Sequence, residues 1–267
     1  MTGPAMANHS DQDVGAAIGD AAARTGLGRH RQTYLPVPPR NGGYLVLLVL
    51  SIAGLIGAVI SFAVAQPVVG ILCVIAPIVM LPALIRSYRY ARSYAGARLD
   101  LYDAGLVAAR QGRLWVARYD STTIYQSIVR HMRNNHHIGT TYTYTFTDIA
   151  GVNFVIGDGI SNPQEWGPSI QRAVTETQLP QALAALQAGH RLVFGELWMT
   201  WYEVGSTRKS APWTQVNQVA ISDGRLSVDV AGRWFALTSA MVRDIPNFLV
   251  FEALAEHLRR VHGGAPR

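Results

Sequence analysis

From Tyr44 to Ile85 the chain carries no charged side chain, and its two apolar runs are separated only by Gln66 and Pro67. The runs 44–65 and 68–85 each come close to the roughly 20 residues a helix needs to cross a bilayer core. They predict a two-helix transmembrane hairpin. Along the first run Ala53, Gly57, Ser61 and Ala65 fall at four-residue intervals, a strip of small side chains that lets helix backbones approach. Pro77 and Pro82 remove backbone donors from the second run and predict kinks there. With no ionisable group inside either run, an ion pathway has no ligands, and the hairpin reads as an anchor.

Beyond Leu99 the period of the pattern falls to two. Leu99 and Leu101 alternate with Asp100 and Tyr102, and Tyr142, Tyr144 and Phe146 alternate with threonines. Val152, Phe154 and Ile156, then Leu197, Met199 and Trp201, then Leu226, Val228 and Val230 continue in the same way. Punctuated by Asp158-Gly159 and Asp223-Gly224, these runs predict half-buried antiparallel strands joined by tight turns. Each strand-rich stretch ends in a helical one. The first has Ile170, Ala173 and Val174 at helical spacing and stops at Gly189. The second sets Phe248, Phe251, Leu254, Leu258 and Val261 on one stripe behind Asn247, an expected N-cap. Strands followed by a helix, twice over, predict an internal duplication. Tyr102-Asp103-Ala104-Gly105 aligns with Tyr202-Glu203-Val204-Gly205 in the same sense, and in each copy an aromatic residue (Tyr119 or Trp213) opens the next strand. Segment 1–43 has few large apolar side chains and predicts a disordered tail, with transient helix near Val14 to Arg24.

The expected organisation is therefore a tail (1–43), the hairpin (44–85), a basic segment (86–98), a first domain (99–189), a second domain (190–262) and a short tail (263–267). In the second domain Pro212-Trp213, Val216, Val219 and Ile221, followed by Asp223-Gly224, Leu226 and Val228, resemble a run found in bacterial pleckstrin-homology-like domains. Ile245-Pro246-Asn247 followed by Phe251 is similar to the start of their closing helix. Taken with the hairpin, the chain resembles, from Tyr44 to His262, an uncharacterised actinobacterial family of two-span membrane proteins with pleckstrin-homology-like cytosolic domains. The resemblance implies an α+β fold in which the hairpin precedes tandem antiparallel β-barrels, each closed by a C-terminal helix. It implies no catalytic residues.

The net charge of +6 over 267 residues matters through its distribution. Residues 1–43 hold four arginines against three aspartates, and residues 86–98 hold Arg86, Arg89, Arg92 and Arg98 with no acid. From Leu99 onward fifteen basic residues face fourteen acidic ones. The excess is a local cluster, which removes the basis for a nucleic-acid-binding face. Arg24, Arg29, Arg31 and Arg40 precede the hairpin and no cation sits in its link, which predicts a cell-membrane protein with both termini cytoplasmic. Arg86, Arg89, Arg92 and Arg98, interleaved with Tyr88, Tyr90 and Tyr94, suit anionic lipid headgroups. Arg208 and Lys209, at an expected turn, form a second candidate headgroup contact.

Reactive constellations are few. His131, His136 and His137 flank Asn134-Asn135 without the spacing that sets two histidines on one helix face, and they read as an exposed hairpin tip. Asp120-Ser121-Thr122-Thr123 lacks a nucleophile elbow, and Gly151 to Gly159 lacks the lysine of a phosphate loop. Trp198, Trp201, Trp213 and Trp234 read as core and rim aromatics. Cys73 is the only cysteine, so neither a disulfide nor a cysteine-based metal site forms within the chain. No metal or cofactor is expected. The expectation is a non-enzymatic, membrane-anchored interaction or scaffold module binding a protein, peptide or lipid headgroup, with its oligomeric state open. The alternatives are a membrane-bound enzyme acting on lipid through a site assembled from distant residues, and a purely structural membrane protein.

Overall fold

The computed structural model describes residues 4–37, 41–64, 67–94, 96–134 and 136–262, with the side chains at 4–12, 41–45, 47, 62, 67, 69–70, 72, 76, 87 and 90–93 outside that description. Helix α1 (Pro4–Arg24) leads into strand β1 (His30–Tyr34), and helices α2 (Asn41–Ala63) and α3 (Pro67–Tyr94) then pack as a hairpin. Strands β2 (Arg98–Tyr102), β3 (Gly105–Arg110) and β4 (Arg113–Arg118) complete an antiparallel sheet of order β1-β2-β3-β4. Strands β5 (Ile124–Arg133), β6 (His136–Thr147) and β7 (Asn153–Gly157) make a second sheet, and α4 (Pro163–Gln187) follows.

The same series then runs again. Strands β8 (Leu192–Phe194), β9 (Leu197–Met199), β10 (Glu203–Ser206) and β11 (Ser210–Pro212) form a four-stranded meander. Strands β12 (Val216–Ser222), β13 (Arg225–Val230) and β14 (Thr238–Met241) form a three-stranded one, closed by α5 (Phe248–His262). The α2–α3 hairpin is thus an insertion between the first two strands of the first series. In the second series the same step, β8 to β9, is the turn at Gly195-Glu196, with Gly195 at φ +67°. One contiguous core runs through both series, joining Leu99, Phe146 and Trp166 to Trp213, Leu226 and Phe251.

The segment expected to be a disordered tail contributes two elements. Ile18, Ala21 and Ala22 of α1, with Leu27, bury the outer face of the first sheet at Tyr102, Val107, Ala109 and Val116. β3 is therefore covered on both faces, and Leu106, Val107, Ala108 and Ala109 are all buried. β1 pairs with β2 through Thr33 opposite Asp100 and Tyr34 opposite Leu99. Arg40, Ala65, Gln66, Asn135 and the tail 263–267 lie outside the described residues.

Two expectations are corrected. The β-strands form four separate small antiparallel sheets, each pairing only its own strands, and none closes into a barrel; alternation fixed which face of each strand is buried but not whether its edges meet. The membrane-spanning expectation also falls: among the described residues no helix is long and apolar enough to cross a membrane. α3 contains Pro77 and Pro82, and its C-terminal part, up to Tyr94, carries Arg86, Arg89 and Arg92. The two-span family, the multi-pass cell-membrane location with cytoplasmic termini, and the membrane and anionic lipid as partners lose their support with it.

The described members of the small-residue strip differ in burial. A four-residue step on a helix of 3.6 residues per turn drifts by roughly 40°, so Ala53 is exposed while Gly57 and Ser61 stay half-buried. Among the described side chains of α2, Ser51 and Ala58 are the buried ones. At Gly54 an added Cβ would lie 3.1 Å from the Cys73 carbonyl oxygen, the closest helix-to-helix approach among these glycines.

Candidate functional site

The two series meet at Asn247. Its backbone N–H donates to the Ile124 carbonyl at 2.8 Å, and its side-chain Oδ1 accepts from the Ile124 N–H at 2.7 Å. Nδ2 donates to Gln178 Oε1 at 2.8 Å and to the Thr122 carbonyl at 3.2 Å. Gln178 Nε2 in turn donates to the carbonyls of Tyr119 and Thr122, both at 2.9 Å. Asn247 sits at φ +47°, a conformation asparagine tolerates better than most residues. Its side chain serves β5 and α4 instead of capping α5, so the expected N-cap becomes a bridge between the series.

That bridge reveals how β5 is oriented. Both backbone groups of Ile124 point away from β6, while the Thr123 carbonyl accepts from the Thr147 N–H on the β6 side at 3.0 Å. Antiparallel pairing alternates residue by residue, and the β5–β6 register is regular as far as the shift between His131 and Met132. The N–H and C=O groups of Gln126, Ile128 and Arg130 therefore project from the free edge, where no hydrogen bond reaches them among the described residues. They face a cleft of about 680 Å³ between β5 and the second series, bounded there by Ile221, Met241, Val242 and Phe248. Arg130 and Arg243 lie at this cleft, together with Asp223.

A second polar cluster lies in the first sheet. Asp100 is fully buried and accepts from Arg98 at 2.7 Å (Nε) and 2.9 Å (Nη2). Thr33 Oγ1 also donates to it. His30 Nε2 lies 3.0 Å from Asp100 Oδ1 and 2.9 Å from Thr33 Oγ1. A relay from nucleophile to carboxylate uses the two ring nitrogens separately, whereas here one nitrogen meets both partners. The cluster is built as a clasp between β1 and β2. Nearby, the backbone N–H of Arg29 and then the Arg31 side chain hold the Asp103 carboxyl below its usual range.

The remaining sequence candidates scatter. Arg86 and Arg89 are exposed on α3, and the Arg92 side chain lies outside the described residues. Arg98 is tied to Asp100, and Arg208 and Lys209 are exposed at the β10–β11 turn, on a different sheet. His131 and His137 pair with Thr141 and Thr140 on the exposed β5–β6 hairpin, and among the described residues no group of three His, Cys, Asp or Glu is placed to hold a metal ion. Asp120 is bound to Arg118 at 2.7 Å, which holds its carboxyl below the usual range, and Thr122 Oγ1 donates to the Thr147 carbonyl. Trp213 is fully buried as expected, but Trp234 is 99% exposed at the turn before β14.

The β5 edge and Asn247 were not singled out as a site from sequence. The strand pattern of Ile124–Arg133 was there to read, but the vacancy beside it depends on a residue 123 positions away. Over residues 6–262 the chain matches a family described as "Family of unknown function (DUF6585)". No curated protein and no solved structure matches it.

Proposed function

Since the chain belongs to the DUF6585 family, which carries no assigned function, we propose from its geometry that it is an interaction module, not an enzyme, and that it takes an extended peptide along the free edge of β5. The observation that carries the reading is the row of outward backbone groups at Gln126, Ile128 and Arg130, opening on a cleft with an apolar far wall. Adding a strand to such an edge draws affinity from main-chain hydrogen bonds and specificity from pockets for alternate side chains. Asn247 already occupies the first rung at Ile124 as a strand partner would, so the incoming peptide continues a ladder that has been started. Ile221, Met241 and Phe248 offer apolar contact to side chains on one face of that peptide, and Arg130 favours an acidic residue near its end. The cleft volume falls within the roughly 300–1,000 Å³ typical of ligand sites. The clasp arrangement of His30, Thr33 and Asp100 supports the non-enzymatic side of the reading.

The test is a displayed library of unstructured peptides selected on the full chain, with Ile128→Pro as the counter-selection. Proline removes an outward N–H while leaving the β5–β6 ladder intact, as it does on natural edge strands. Peptides that bind the parent and not Ile128→Pro, and that slow hydrogen exchange at Gln126, Ile128 and Arg130, are the expected result. Selected peptides that bind both proteins equally overturn the proposal.

A further inference from the structure

Because the first sheet and the β5–β7 sheet do not close on each other, a seam remains between β2–β4 and β7. A cavity of about 220 Å³ lies in it, walled by Leu99, Ala108, Trp115, Phe154 and Ile156, with the Tyr94 ring at one side. Trp115 and Phe154 stack at 5.8 Å between ring centroids. The Tyr94 ring lies against the backbone of Gly159, where an added Cβ would fall 1.8 Å from its Cε1. Two arginines border the space. Arg98 is held by Asp100, whereas Arg110 pairs with no carboxylate among the described residues and sits 5.4 Å from the Tyr94 ring centroid. Arg113, 5.9 Å over Trp115, adds positive charge beside that wall of the cavity.

We propose that this cavity is a binding site for a compact aromatic or apolar carboxylate, with the ring among Trp115, Phe154 and Ile156 and the carboxylate on Arg110. Size sets the apolar part: an apolar cavity of about 150 Å³ takes benzene, so this one suits a group of about two fused rings. Charge sets the head. A guanidinium lodged over an aromatic face is already oriented, and its planar fork matches a carboxylate in two parallel hydrogen bonds. A cationic ligand meets Arg110 and Arg113 as like charges, and a neutral one leaves the guanidinium without its matching partner.

The experiment is calorimetric titration of the full chain with three ligands of one shape: naphthoate, naphthamide and naphthylmethylammonium. Naphthoate is expected to bind at one site, about tenfold or more tighter than the amide, the scale of a charge-assisted hydrogen bond. The ammonium is expected not to saturate. Arg110→Gln should abolish the preference for naphthoate over the amide, and Ala108→Leu, which fills the cavity, should remove binding of both. Ile128→Pro should leave naphthoate binding unchanged, which separates this site from the peptide cleft. Equal affinity for the three ligands, or a charge preference that survives Arg110→Gln, overturns the proposal. So does unchanged binding in a folded Ala108→Leu protein; should that variant not fold, the Arg110→Gln comparison decides alone.

Discussion

Removing the Asn247 side chain should loosen the union of the two series, and the size of the effect follows from what each atom does. In Asn247→Ala the Ile124 N–H loses its acceptor and Gln178 Oε1 loses a donor, while the Thr122 carbonyl keeps Gln178 Nε2. A buried donor left without a partner costs about 1–3 kcal/mol. Holding alanine at the positive φ of this position adds about 1 kcal/mol. The Gln178 amide sits on a long side chain that can turn to water, so its loss lies at the low end. The expected total is about 2–4 kcal/mol, which for a chain of this size lowers the melting temperature by roughly 2–4 °C per kcal/mol. Asn247→Gly separates the two contributions: it suffers the same lost hydrogen bonds but accepts the backbone angle, and should be more stable than the alanine variant by about 1 kcal/mol. Urea unfolding of the full chain, followed by tryptophan fluorescence, measures both. A cycle with Gln178→Ala should give a coupling energy of about 0.5–3 kcal/mol. If Asn247→Ala unfolds within about 0.5 kcal/mol of the parent, the range of an ordinary surface change, the bridge does not hold the series together and the argument fails.

Two further outcomes test other parts of the fold. Asp100→Asn leaves Arg98 facing an uncharged partner in a fully buried position and should cost about 3 kcal/mol in urea unfolding, the low end for breaking a buried pair because Arg98 is partly exposed; replacing both by Leu and Met should recover most of that loss, and a cost below about 1 kcal/mol for Asp100→Asn would show the clasp to be incidental. Tyr144 is buried with its hydroxyl unpartnered among the described residues, and burial pushes its pKa from 10.0 up to about 12. The unfolded chain therefore releases this proton first as pH rises, so the stability linked to Tyr144 is complete below pH 10 and is lost between about pH 10 and about pH 12. Tyr144→Phe should be neutral or stabilising at pH 7 and should flatten the alkaline limb of a melting-temperature profile, an effect that disappears if the hydroxyl is in fact solvated.

What the sequence conveyed about the fold tracks how local each determinant is. The alternation at Leu226, Val228 and Val230 reads directly because only one face of β13 is buried, and all three are. β3 does not alternate, because α1 covers its second face and Val107 is as buried as Leu106. β1 carries no apolar pattern in His30-Arg31-Gln32-Thr33; it is a strand because β2 supplies a ladder for it and Asp100 collects its polar side chains. The Tyr102–Gly105 and Tyr202–Gly205 match illustrates the limit of short identities. In the structure Tyr119 N–H donates to the Ala104 carbonyl, and Trp213 N–H to the Tyr202 carbonyl. Tyr119 and Trp213 thus occupy equivalent places, whereas Ala104 corresponds to Tyr202, so the four-residue match is out of step by two positions.

The β5 strand shows why the site was harder to read than the fold. A free, apolar sheet edge invites pairing with other chains, and natural edges suppress it with charge. Arg130 and Arg133 place that charge on the outer half of β5, beside exposed Ile128, Val129 and Met132. The inner half, Gln126 to Ile128, carries none and faces the cleft. In the sequence this is only a strand that grows more basic toward its turn, equally compatible with a solvated hairpin. Its meaning appears once Asn247 is seen holding the Ile124 rung. On the proposed reading the charged half guards against indiscriminate pairing, while the neutral half faces the cleft beside the second series, where the extended peptide would lie. Selectivity by position within one strand is what the proposed peptide site requires. It also predicts that Arg130→Ile would make the full chain self-associate through β5, read as a concentration-dependent rise in mass by light scattering that Ile128→Pro reverses; a doubly substituted protein that still self-associates would place the interaction elsewhere.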